Sequence, residues 1–213
     1  MDALALFSSD QPVSVAAGNA IEDDQWLITL MGYDDERPGR TAEDFRRICA
    51  VLPPFFQNAV KGRPTREIVT YRQADSRRRD FTTVGRFPGR LVAIGDAVAS
   101  FNPVYAQGMS SAALQASALS AYLSHRPDFD RAATEYFFRL QNVVVDAAWE
   151  LSAGTDAARL QTQADVAVPK RSRRRTALEE IAVASLTDSA AARAFNEVSY
   201  LLRHPDTLVD YPG

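Results

Sequence analysis

Cysteine, histidine and closely spaced glycine are all scarce in this 213-residue chain, and each scarcity removes a class of chemistry. The one cysteine, Cys49, has no partner for an internal disulfide, which points to a reducing compartment. The two histidines, His125 and His204, lie far apart and offer no zinc-ligand spacing, so both read as surface or helix-end residues. No two of the ten glycines stand two residues apart, so the GxGxxG fingerprint that seats a pyrophosphate on a helix amino terminus is missing. No apolar run nears the roughly 20 residues that cross a bilayer, and no membrane span is expected. The opening residues, MDALALFSSDQP, lack the basic and long apolar regions of a secretory signal, so the expected location is cytoplasmic. A net charge of -3 and a pI near 5.5 give no pull toward nucleic acid.

What is present suffices for a genuine core, with 46% hydrophobic and 24% charged residues. Residues 13 to 17 and 25 to 32 are short β-branched and aromatic runs that read as neighbouring antiparallel strands. Thr41 opens a helix, with Asp44 three residues on as a capping-box variant and Phe45, Ile48, Cys49 and Leu52 on one face before Pro53 and Pro54. Residues 65 to 73 alternate in the strand sense, and GRFPGRL turns the chain into a further strand, LVAIG. Past residue 130 a long helical face ends at Gly154, and further helices are expected near 176 to 186 and 188 to 203. The run KRSRRR at 170 to 175 has no interleaved aromatics and reads as a solvated interhelical loop.

From Leu91 to His125 the only formally charged side chain is Asp96, which makes this the most buried-looking stretch. A strand running straight into a helix near Gln107 puts the connecting loop where open α/β folds bind ligands. The backbone N–H groups of Gln107, Gly108 and Met109 would be free donors there, and Gly108 lets a ligand come close. Asp96 is repelled by anions and suits hydroxyl or N–H donors, while Pro103 stiffens the loop FNPVY. The competing reading makes Asp96 a cap in an ordinary strand-to-helix loop.

The order of residues in GDAVASFNPVYAQGMSSAALQA resembles the second FAD-binding motif of flavoprotein monooxygenases of the para-hydroxybenzoate hydroxylase type. It looks closest to the branch with FNP, Y and QGM, which includes epoxidases and hydroxylases of bulky apolar molecules. The resemblance is specific over about 90 to 116 and extends in pattern from roughly 25 to 150. It implies that Gly95 and Asp96 bind the FAD cofactor, Asp96 accepting a hydrogen bond from a ribityl hydroxyl. It also implies that Pro103 lies against the isoalloxazine ring and that Gln107, Gly108 and Met109 aim N–H groups at its pyrimidine end. NAD(P)H would serve as reductant and O2 as co-substrate, for hydroxylation or epoxidation of a small apolar or aromatic substrate. Trp26, Tyr71 and Phe101 are the candidates to line the substrate pocket, with core packing as their alternative.

The resemblance implies an α/β class, as an α+β fragment: a partial FAD/NAD(P)-binding-like fold with substrate-domain strands and a helical carboxyl-terminal region. Its parts would be residues 1 to 89 from the substrate-binding sheet domain, 90 to 126 with the GD motif, and 127 to 213 as helices. Two features depart from the family pattern. The GxGxxG unit is missing, so the expected partner is a missing amino-terminal segment, or a second chain on an exposed sheet edge. Ala106 stands where the family usually has glycine, a substitution that costs about 1 kcal/mol if the site needs a positive φ. A non-catalytic remnant acting as a binding module, and a flavin reductase of isoprenoid double bonds, are the alternatives.

Overall fold

The computed structural model describes residues 3 to 6, 13 to 33, 38 to 73, 75 to 125, 130 to 163 and 173 to 211. Small antiparallel sheets and long helices make it a mixed α+β protein in two compact units, Met1–Arg72 and Gln73–Gly213.

In the first unit β1 (Ala3–Leu6), β2 (Val15–Ile21) and β3 (Gln25–Met31) form an antiparallel sheet in that order. The β2–β3 hairpin expected from the sequence is present, with Val15 opposite Met31 and Ile21 opposite Gln25. Asp23 and Asp24 close it at φ of 59° and 54°, the left-handed region that aspartate tolerates. Helix α1 (Ala42–Cys49) starts as the sequence predicts: the Thr41 hydroxyl accepts the Asp44 N–H at 3.0 Å and donates to the Asp44 carboxylate at 2.8 Å. That hydroxyl and the nearby Arg47 guanidinium hold the Asp44 carboxyl below its usual range. Pro54 opens the short α2 (Pro54–Ala59), whose Phe55 ring lies against β2 at Gly18. A Cβ on Gly18 would come within 2.2 Å of that ring, so the close approach requires glycine.

Val13, Ala16, Ile48, Cys49, Leu52 and Phe56 form the core of this unit. Burial pushes the Cys49 thiol from 9.0 up to about 11. The unfolded chain ionises its thiol first, so the contribution is fully present below pH 9 and lost as pH rises toward 11. A thiol reagent at pH 8 is expected to label Cys49 only as fast as the chain unfolds; rapid labelling under native conditions would contradict this.

Residues 65 to 73 do not form the expected strand: the segment has no regular structure, has no ladder partner among the described residues and exposes Val69 and Tyr71. Alternation sets the sides of a strand but supplies no partner for its backbone groups.

In the second unit a two-residue ladder joins β4 (Arg77–Arg78) to β5 (Ala99–Ser100). The helices are α3 (Gln107–His125), α4 (Arg131–Gln163), α5 (Arg173–Ala184) and α6 (Ser189–Ser199). Val98, Phe101, Val145, Ala148, Leu151, Leu178, Ile181 and Val198 lie in their main core, and Tyr122, Phe137 and Phe138 form a second cluster. Gly154 does not end a helix as expected. It lies inside α4 without a positive φ, where burial of Leu151 and Ser152 outweighs the roughly 1 kcal/mol that an interior glycine costs.

The loop reading of 170 to 175 also fails where the chain is described, since Arg173, Arg174 and Arg175 open α5. Arg174 donates to Glu150 at 3.0 Å and Asp206 at 2.6 Å, and Arg175 to Glu179 at 2.8 Å, so these carboxylates offset cations at an unfavourable helix end. Residues 170 to 172 lie outside the described residues.

Candidate functional site

The strand expected at LVAIG is absent, and side-chain amides take the place of a ladder. Gln141 Nε2 donates to the Ala93 carbonyl at 2.8 Å, and the Gly95 N–H donates to Gln115 Oε1 at 2.8 Å. Gln141 Nε2 also reaches Gln115 Oε1 at 3.1 Å, while Gln115 Nε2 donates to Ser111 Oγ at 3.0 Å. All three side chains are buried and satisfied, so this polar seam between α3 and α4 fixes the path of the backbone into the GD turn. The stretch 91 to 125 is therefore not the most buried part: Leu91, Ile94, Met109 and Leu123 are exposed. Its lack of charge reflects small side chains rather than depth.

Gly95, Asp96 and Ala97 form a single 3-10 turn, with Gly95 at φ +61° packed against Ala112 of α3. Asp96 is exposed and caps nothing, so its carboxylate remains available to a donor. The ladder continues past β4, where the Arg79 N–H donates to the Val98 carbonyl at 2.8 Å and Arg79 Nη1 to the Ala97 carbonyl at 3.2 Å.

The loop that follows is held on several sides. Gln73 Nε2 donates to the Phe101 carbonyl at 2.7 Å, and the Asn102 N–H to Ser76 Oγ at 3.0 Å. Asn102 caps the 3-10 turn at Pro103–Tyr105 by accepting the Val104 N–H. Asp156 of α4 clamps the loop by accepting from Asn102 Nδ2 at 3.0 Å and from the Tyr105 hydroxyl at 2.8 Å. Pro103 is left exposed on this loop.

Ala106 then turns the chain into α3 at φ +53° and ψ 23°, in the left-handed region. Relief of the Cβ clash there exceeds the extra unfolded-state freedom of glycine, so Ala106→Gly is expected to stabilise the unit by about 0.5–1 kcal/mol. A thermal melt checks this, with a rise of about 2 °C expected and a fall contradicting the strain.

Helix α3 begins at Gln107 as the sequence predicts. The Gln107 side chain is buried, and its Nε2 donates to the Tyr105 carbonyl at 3.1 Å and the Ser199 carbonyl at 2.7 Å. Among the described residues its Oε1 has no hydrogen-bond partner. Beside it Gly108 faces open space, with no described atom beyond its chain neighbours and its own helix backbone within 4 Å of where a Cβ would stand, and Met109 is 88% exposed. The turn and the helix start thus bring together Gly95, Asp96, Pro103, Gln107, Gly108 and Met109 in one continuous piece of backbone. It can accept from hydroxyls at Asp96 and donate N–H groups at an open helix end.

The three aromatic candidates are not in one unit. Trp26 is partly exposed in the first unit, edge-on to Phe55 at 4.9 Å, and Tyr71 of the same unit is exposed. Phe101 is buried in the second unit, 6.1 Å from Trp149. The sequence reading missed the Ser111–Gln115–Gln141 seam, the Asp156 clamp and Arg79. One signal was available: Gln107, Ser111 and Gln115 recur every four residues along α3, a polar stripe on one face that holds both of the helix's glutamines. Among the described residues no group of three metal-ligating side chains is found.

No family model matches the chain. A portion of 107 residues, 49% of the chain, is 36% identical to Protein Rv3254 of Mycobacterium tuberculosis and covers 23% of it. The chain therefore spans under a quarter of the length of this curated relative, with which it shares sequence but no named activity.

Proposed function

We propose that this chain supplies the ring-facing half of the FAD site of a flavin-dependent monooxygenase, in a partial FAD-binding-like fold. The observation that carries the reading is the backbone from Gly95 to Gly108. It has left-handed turns at Gly95 and Ala106, the latter where the resembled family usually has glycine, and an open helix start at Gly108. The residues fit the ring and the ribityl chain. Asp96 would accept a ribityl hydroxyl, Pro103 would lie against the ring, and the N–H groups from Gln107 to Met109 would face its electron-rich end. They do not cradle a pyrophosphate, because the chain has no GxGxxG; that contact falls to a separate or preceding segment.

A flavin held by these residues would supply the redox chemistry, the transfer of two electrons from NAD(P)H to O2 with one oxygen atom entering the substrate and the other leaving as water. This chain's own part is to orient the ring, offset negative charge on it with helix N–H groups, and exclude water. The proposed substrate is a bulky apolar or aromatic molecule.

Co-expression with a GxGxxG-bearing segment tests the proposal. A yellow assembly that oxidises NAD(P)H and takes up O2 is expected. A yellow assembly that consumes no O2 would indicate an isoprenoid reductase, and a folded, colourless one a non-catalytic binding module.

A further inference from the structure

Three consecutive arginines, Arg77 and Arg78 of β4 and Arg79 just past it, stand together in the chain, and two of them are committed to carboxylates. Arg77 holds Asp75 through Nε at 2.7 Å and Nη2 at 3.3 Å, and Arg78 pairs with Asp146 at 2.5 Å and reaches Asn142. Arg79 pairs with no carboxylate among the described residues. Its neighbour Asp80 is occupied with the N–H and hydroxyl of Thr82, which hold that carboxyl below its ordinary range.

The ladder to Val98 and the single bond from Nη1 to the Ala97 carbonyl place the Arg79 guanidinium on the GD turn, at the residue next to Asp96. A guanidinium carries five donors, so most remain for a ligand. The turn thus carries the exposed Asp96 carboxylate and, on the carbonyl of the next residue, the exposed Arg79 guanidinium, with no ion pair between the two among the described residues. A simple anion would be repelled by Asp96 and a simple cation by Arg79. A molecule with hydroxyl groups next to a phosphate satisfies both.

We infer that Arg79 is a phosphate-binding residue that, with Asp96, recognises a polyol phosphate. On the proposed flavin reading, on which this inference rests, the polyol is the ribityl chain and the phosphate is the one attached to it. Arg79 would supply from this chain part of the anion binding that the missing GxGxxG would otherwise provide alone.

Titration of the full chain with riboflavin and with FMN, followed by flavin fluorescence at low ionic strength, isolates the phosphate. The wild-type chain is expected to bind FMN about tenfold more tightly than riboflavin, the gain of one charge-assisted contact. Arg79→Gln should bind the two flavins equally, with riboflavin affinity unchanged, and Arg79→Lys should keep part of the preference. Competition by inorganic pyrophosphate should weaken FMN and spare riboflavin. A preference for FMN that survives Arg79→Gln, or riboflavin binding with no preference in the wild-type chain, overturns the phosphate role and leaves the flavin reading standing. A wild-type chain that binds neither flavin overturns the phosphate role, while the flavin content of the co-expressed assembly decides the flavin reading separately. Equal loss of both flavins in Arg79→Gln would mean that the arginine only fastens the turn through Ala97.

Discussion

Replacing Gly108 by valine is expected to leave the fold intact and lower riboflavin affinity at least tenfold. The two effects separate because the side chain would project into open space, where no described atom beyond its chain neighbours and its own helix backbone lies within 4 Å of the Cβ position. Valine in a helix costs no more than glycine does, so the melting midpoint should stay the same or rise slightly. A ligand that takes hydrogen bonds from N–H groups at the start of α3 must come within about 3 Å of this backbone, and an isopropyl group stands in its way. Losing one such contact, worth about 1.4 kcal/mol, already lowers affinity tenfold. Fluorescence titration beside a thermal melt reads both quantities. Unchanged affinity with unchanged stability would show that nothing binds at this helix start.

The largest effect on stability is expected at Phe138, which is 2% exposed. Its ring stacks on Phe81 at 5.2 Å and meets Phe87 edge-on at 4.9 Å and Phe137 at 5.8 Å. Phe138→Ala removes a buried ring and leaves a cavity, at a cost of about 3–5 kcal/mol. For a chain of this size that lowers the midpoint by roughly 10 °C. The loss also frees the segment carrying Phe81 and Phe87, which leads from Arg79 toward the GD turn, so flavin binding should weaken with it. Phe138→Leu retains most of the buried volume and should cost less than half as much. A midpoint within about 2 °C of the wild type in Phe138→Ala would mean that this aromatic cluster does not anchor the segment.

How much of this was legible in the sequence depended on how local the cause was. Thr41 and Asp44 lie three residues apart, and their cap could be read directly. The β2–β3 hairpin and the start of α3 at Gln107 were likewise set by residues close in the chain. LVAIG has the composition of a strand, yet its backbone groups pair with Gln115 and Gln141, tens of residues away. Those partners carry no local signature beyond the four-residue polar stripe on α3. Residues 65 to 73 have the right alternation and no neighbour to pair with. Arg174 looked like part of a solvated run because Glu150 and Asp206, which hold it, are distant in sequence.

In the candidate site, Asp96 and Gly108 stood out by type, one as a lone charge and the other as a glycine at a helix start. The strain at Ala106 was visible only as a departure from the resembled pattern, and the structure gives it the left-handed backbone that a glycine would favour. Arg79 was hidden within a basic cluster, and only the ladder to Val98 and the commitments of Arg77 and Arg78 single it out.

The central claim is that the GD turn and the start of α3 hold a flavin, and it is tested most directly by the flavin content of the chain co-expressed with a GxGxxG-bearing segment. The wild-type assembly is predicted to purify with about one FAD per chain. Asp96→Ala should fold equally well, because Asp96 is exposed and caps nothing, yet bind FAD about tenfold more weakly for want of one hydrogen bond to a charged acceptor. A folded wild-type assembly without flavin, or an Asp96→Ala assembly with undiminished affinity, would contradict the account.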